Sequence, residues 1–153
     1  MTPYETDIAA WAEQNAELIR ARRWQEVDAE HVLEEIEALG NDRRSARDSH
    51  VVRVMEHLLK LRYVTGEQTL RYNVESWRGS GALHRREALR VLRRNPSLRP
   101  ELNTELLADL YADARAIFID CQFEHAQTPP EQCPFTWQEI LGEPVRPAAA
   151  ARP

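Results

Sequence analysis

The chemistry available to this 153-residue chain starts with five histidines and a surplus of carboxylates, 25 acidic side chains against 20 basic ones. His50 and His57 are seven residues apart, which places them on nearly the same face of a helix, at the edge of the apolar arc that carries Val54 and Leu61. An earlier segment offers His31 with Glu34 and Glu35, and His84 falls in a later apolar stripe. Facing His and Glu side chains are how helical bundles build internal metal sites, so His50, His57 and Glu34 are the candidate ligands. A di-iron pattern needs Glu-x-x-His on two helices, and here His31-x-x-Glu34 runs the opposite way. The plainer alternative seats these histidines at the core boundary, each hydrogen-bonded through one ring nitrogen. No cofactor is implied.

Nucleophilic chemistry has less to work with. Cys121 lies on an apolar stripe, where a thiol is inert packing. Cys133 precedes a proline in a loop, with His125 nearby in sequence, and is expected to be the more exposed of the two. A cysteine–histidine pair would still need an orienting third group. No Gly-rich phosphate loop, serine elbow or Cys-x-x-Cys is present. No residue is assigned a catalytic role, and the reading leans away from an enzyme.

The basic side chains are almost all arginine, with Lys60 the single lysine. Arginine suits bidentate recognition of phosphate or carboxylate, but GC-rich coding explains the bias equally well, and the run Pro147–Ala151 points to coding. Charge is strongly blocked. Residues 1–42 carry 3 basic and 11 acidic side chains (net −8), residues 43–99 carry 14 and 5 (net +9), and residues 100–153 carry 3 and 9 (net −6). Within the middle block, Arg78, Arg85, Arg86, Arg90, Arg93 and Arg94 gather on one helical face. That face could neutralise phosphates, yet it lacks aromatic residues for stacking on bases. Glu101, Glu105, Asp109 and Asp113 form an acidic column on the following helix, and pairing between column and arginine face would account for both. Trp24, between two helices and beside Arg22 and Arg23, has the composition of an interface hot spot unless it folds back over the junction.

Periodicity is helical almost everywhere, with no convincing alternating strand pattern. A first helix is expected from Thr6 or Asp7 to Arg22, with Ile8, Trp11, Asn15, Leu18 and Ile19 facing inward. Asp28 would cap a second, whose stripe is Val32, Leu33, Ile36 and Leu39 and whose stop is Gly40-Asn41. Asp42 would cap a third helix over about 43–64, with Val51, Val54, Met55, Leu58 and Leu59 inside and Gly66 ending it. A fourth, about 69–94, is read straight through Gly79-Ser80-Gly81, because its apolar and arginine faces keep their phase across the glycines. Pro100 would sit near the start of a long helix to about Gln122, with Leu102, Leu106, Leu110, Ala114, Ile117 and Cys121 on its inner stripe. Thr136 and Glu139 form a capping box for a short helix over Trp137, Ile140 and Leu141, stopped by Gly142.

These elements predict an all-α, single-domain, mostly antiparallel up-and-down bundle of about five to six helices over residues 1–143. A loose Pro/Ala-rich tail is expected over 144–153. A composition of 42% apolar and 29% charged residues excludes a mostly disordered chain. No apolar run is long enough for a membrane span, and the acidic start with Glu5 and Asp7 has no basic-then-apolar leader. With only two cysteines, the expected location is the cytoplasm.

Leu33-Glu34-Glu35-Ile36-Glu37-Ala38-Leu39-Gly40, followed by Glu56-His57-Leu58-Leu59-Lys60, resembles a bacterial family known as domain of unknown function twenty-nine. Tyr4 and Trp11, Trp77, Asn95-Pro96-Ser97-Leu98, Tyr111 with Ala114, Cys133-Pro134 and Glu139-Ile140-Leu141 continue the likeness over residues 4–142. The resemblance implies an α-helical bacterial protein and brings no catalytic residue. The expected role is therefore binding to another protein or self-association, through Trp24 and the arginine face. A metal-dependent bundle enzyme and a nucleic-acid binder are the alternatives.

Overall fold

A computed structural model describes residues 2–143 and is helical along most of that length, with no strand among the described residues. Its elements are α1 (Ile8–Arg20), a 3-10 turn (Trp24–Glu26), α2 (Ala29–Tyr63), α3 (Glu67–Arg94), a 3-10 segment (Pro96–Glu101), α4 (Thr104–Asp120) and α5 (Trp137–Leu141). The tail expected over 144–153 lies outside the described residues. The chain divides into two compact units, one ending at Asp42 and the other beginning at Arg43.

In the first unit, Asp7 caps α1 by accepting a hydrogen bond from the Ala10 amide at 3.0 Å. Trp11 and Asn15 are buried as expected, whereas Ile8 and Ile19, expected inside, are exposed. The second helix does not stop at Gly40-Asn41: α2 continues through both residues to Tyr63, so Asp42 caps nothing. A mid-helix glycine costs only about 1 kcal/mol relative to alanine, and the long helical stretches on either side outweigh that. The larger surprise is the stripe at the start of α2. Leu33, Ile36 and Leu39 are 55%, 61% and 61% exposed, so the periodicity is correct but the face meets solvent.

In the second unit, Val51, Val54, Met55 and Leu59 of α2 meet Trp77, Ala88 and Leu92 of α3, Leu110, Tyr111, Ala114 and Phe118 of α4, and Trp137, Ile140 and Leu141 of α5 in one core. His57 beside Gly81 and His50 beside His84 show that α2 and α3 run antiparallel here. α3 passes unbroken through Gly79 and Gly81, as its two phased faces predict. Pro100 does not open the long helix, because the chain first makes a 3-10 segment; α4 starts at Thr104, capped by Asn103, whose Oδ1 accepts from the Leu106 amide at 2.8 Å. The Thr136–Glu139 capping box forms, and Gly142 ends α5 in the left-handed conformation at φ 72°.

Candidate functional site

Three places hold the polar side chains that sequence singled out. The first is the junction of α1 and α2 in the N-terminal unit. Asp28 sits at the start of α2, where a carboxylate is favoured by unsatisfied amides. Its Oδ2 accepts from Trp11 Nε1 at 2.9 Å and lies 2.8 Å from His31 Nδ1. Asn15 knits the turn together, donating to the Trp11 carbonyl at 3.0 Å and accepting from the Asp28 amide at 2.8 Å. Tyr4 stacks on His31 with ring centroids 4.3 Å apart and donates its hydroxyl to Glu35.

The electrostatics follow from these bonds. The Trp11 bond, with help from His31, holds the Asp28 carboxyl below its ordinary pKa, and the Asp28 bond raises that of His31. The Glu35 carboxylate pushes the Tyr4 hydroxyl up to about 12. Asp28 and His31 form a carboxylate–imidazole pair in which Tyr4 covers one ring face, a sound way to orient a side chain. Sequence reasoning placed Asp28 as a cap and His31 beside Glu34 but did not join them through Trp11, since that bond spans 17 residues.

The second place is the histidine cluster between α2 and α3. His50 Nδ1 and His84 Nδ1 are 3.0 Å apart, so one ring donates and the other accepts, and the pair cannot keep this bond with both rings charged. The His57 ring stacks 6.3 Å from His84, and its Nδ1 is buried with no hydrogen-bond partner. Burial, followed by the Lys60 charge, lowers the His57 pKa; burial, followed by His50, lowers that of His84. The boundary-histidine reading thus fits His50 and His84, but not the Nδ1 of His57. Among the described residues, no group of three or more His, Cys, Asp or Glu side chains could hold a metal ion.

The third place is the arginine face of α3. Arg85 donates to the Ile140 carbonyl at 2.8 Å and the Glu139 carbonyl at 3.1 Å, closing the end of α5. Arg78 pairs with Glu75 at 3.2 Å and Arg90 with Glu87 at 3.4 Å, both within their own helix. Arg86, Arg93 and Arg94 have no ion pair among the described residues. The acidic column does not meet this face. Glu101 instead takes Arg44 at 2.9 Å and Arg47 at 2.7 Å from α2, while Glu105, Asp109 and Asp113 make no ion pair among the described residues.

The two cysteines exchange their expected environments. Cys121 is exposed at the end of α4, whereas Cys133 is half-buried, its thiol pointing to the Phe135 carbonyl at 3.5 Å and pushed up in pKa by burial. A raised thiol is a poor nucleophile, and no hydrogen bond joins Cys133 to His125 among the described residues. Trp24 does not fold back over the junction: it is 62% exposed. Trp11, Trp77 and Trp137 are buried, as expected of core anchors.

The sequence motifs that close this architecture, from Tyr4 and Trp11 to Glu139-Ile140-Leu141, fall within residues 3–144, which match the family model described as Domain of unknown function DUF29. The chain belongs to that family. No curated protein and no solved structure matches it. Membership of DUF29 assigns no activity. No helix among the described residues of this DUF29 protein is long and apolar enough to cross a membrane.

Proposed function

We propose that this DUF29 protein acts by docking to another protein, and that its acidic N-terminal unit supplies the docking surface. The observation that carries the reading is the face of α2 bearing Leu33, Ile36 and Leu39, three large aliphatic side chains more than half exposed within a single helical stretch. Burying each is worth about 1.5–3 kcal/mol, so the free surface carries a cost that a partner relieves. Glu30, Glu34 and Glu37 border this stripe and make no ion pair among the described residues. An apolar strip beside unpaired charge is the anatomy of an interface core with its rim. Trp24, exposed in the same unit, is a second anchor of the type that dominates binding energy.

The experiment is a pull-down of tagged protein from its native lysate, with and without nuclease, comparing wild type with Ile36→Asp and Trp24→Ala. A stoichiometric protein that survives nuclease and is lost from the Ile36→Asp sample is the expected result. Capture that is identical across all three proteins would overturn the assignment of this surface. Recovery only of nucleic acid, or of partners lost with nuclease, would move the function to the arginines of α3.

A further inference from the structure

We infer that the surface seated on the α2 stripe is the outward face of α3 in a second copy of this chain, an inference that rests on the docking reading above. Like surfaces are excluded first. Two acidic N-terminal units, each with 3 basic and 11 acidic side chains in residues 1–42, would repel one another. The complementary charge lies elsewhere on the same chain, in a segment with 14 basic and 5 acidic side chains over residues 43–99.

Within that segment the exposed face of α3 is the match. Turning at about 100° per residue, Tyr72, Gly79, Leu83, Arg86, Arg90 and Arg93 fall within one-third of the helix circumference. Tyr72 and Leu83 are 74% and 48% exposed, and Gly79 has open space where a Cβ would stand. The face therefore combines exposed apolar side chains, a flat notch at Gly79 and a cationic end, and Arg86 and Arg93 have no carboxylate partner among the described residues.

The charges also match in register. Carboxylates at 30, 34 and 37 are separated by four and then three residues; arginines read backwards from 93 to 90 to 86 are separated by three and then four. Laid antiparallel, Glu30 meets Arg93, Glu34 meets Arg90 and Glu37 meets Arg86, each within one residue of the same register. That register sets Leu83 against Gly40, next to Ile36 and Leu39, and leaves Tyr72 and Gly79 beyond the stripe. Arg90 exchanges its intrahelical Glu87, 3.4 Å away, for Glu34 of the other molecule. Each copy carries both faces, so the contact is head-to-tail: the α2 stripe of one copy takes the α3 face of the next.

The test is sedimentation equilibrium of the full chain at low and high salt, with circular dichroism to verify the fold of every variant. Wild type is expected to self-associate, more weakly as salt rises. Glu34→Arg/Glu37→Arg and Arg86→Glu/Arg90→Glu are each expected to raise the dissociation constant by about tenfold or more on their own. Mixed in equal amounts, the two variants should associate as wild type does, because every contact between unlike variants is again opposite in charge. Wild type that is monomeric throughout, or variants whose mixture stays dissociated, would overturn the inference. The docking reading fails separately: if the chain is monomeric and Ile36→Asp still loses a lysate partner, only the second-copy assignment is wrong. If Ile36→Asp loses nothing, both fall.

Discussion

Replacing Arg47 with methionine should destabilise the second unit. Arg47 is buried, and its guanidinium is divided among three acceptors: Asp48 at 2.8 Å, Glu101 at 2.7 Å and the Leu98 carbonyl at 3.3 Å. Burial alone would lower its pKa, but Asp48 and Glu101 outweigh burial and raise it, so the side chain stays charged inside the protein. Breaking a fully buried ion pair costs about 3–5 kcal/mol, because the partner charge is stranded. Here the side chains of Asp48 and Glu101 are 29% and 33% exposed, and Glu101 keeps Arg44, so both carboxylates regain water. What is lost inside is the charge-assisted bond to the Leu98 carbonyl, worth about 1.5–3 kcal/mol. Methionine preserves the packing of the arginine stem. The expected loss is therefore about 2–3 kcal/mol, or a fall in Tm of about 10 °C at roughly 4 °C per kcal/mol. Urea unfolding followed by circular dichroism measures it. Arg47→Lys, which keeps the charge but not the three-way fork, should lose about half as much. The carboxylates bound to Arg47 set the pH dependence. Glu101 is held below its usual pKa, because its bonds to Arg47 and Arg44 exceed the effect of burial. Its contribution is present above the unfolded value of about 4.3 and disappears as pH falls through the folded value, so the gap between wild type and variant should narrow below about pH 4. A loss under about 1 kcal/mol at neutral pH would refute the reasoning, since it would mean that the buried guanidinium contributes no more than an exposed one.

Three further outcomes are expected. His57 and His84 have lowered pKa values in the fold, so the unfolded chain binds more protons below about pH 6.5 and stability should fall on acidification through that range; His84→Gln should flatten the slope of the urea midpoint between neutral and mildly acidic pH, and an unchanged slope would contradict the assignment. Gly79→Ala, with open space and helical backbone, should stabilise the monomer by about 0.5–1 kcal/mol, whereas Gly142→Ala, at φ 72°, should destabilise it by about 1 kcal/mol in the same assay. Ile36→Asp should leave monomer stability within about 0.5 kcal/mol of wild type, while Leu59→Ala in the core should cost about 2–5 kcal/mol; similar losses for both would show that the α2 stripe is buried in solution.

Local signals survived the passage from sequence to structure wherever the chain settles its own geometry. Thr136 and Glu139 announced a capping box and made one, because both halves of that motif lie within a single turn. The phase of α3 across Gly79 and Gly81 was legible because two faces had to agree. The stop at Gly40-Asn41 was misread because glycine is also a tolerated interior residue when the helix on both sides is strong. For Leu33, Ile36 and Leu39 the period identified which side chains share a face, but no local pattern states whether that face meets protein or water. The same limit separates His50 from His84, 34 residues apart, and Arg47 from Glu101, 54 apart. Those pairings are settled only when the helices pack.

The five residues of α5 have a consequence for the order in which the molecule assembles. A helix this short has no stability of its own in water. It is held by Arg85, 55 residues earlier in the chain, and it delivers Trp137, Ile140 and Leu141 into a core that α2, α3 and α4 have already begun. A helix that depends on a surface made by α2, α3 and α4 has nothing to form on until they pack, and the segment that then closes is only residues 121–136. A chain cut before Trp137 would lack three side chains of the core and leave the apolar side chains of α2, α3 and α4 that pack against them facing water.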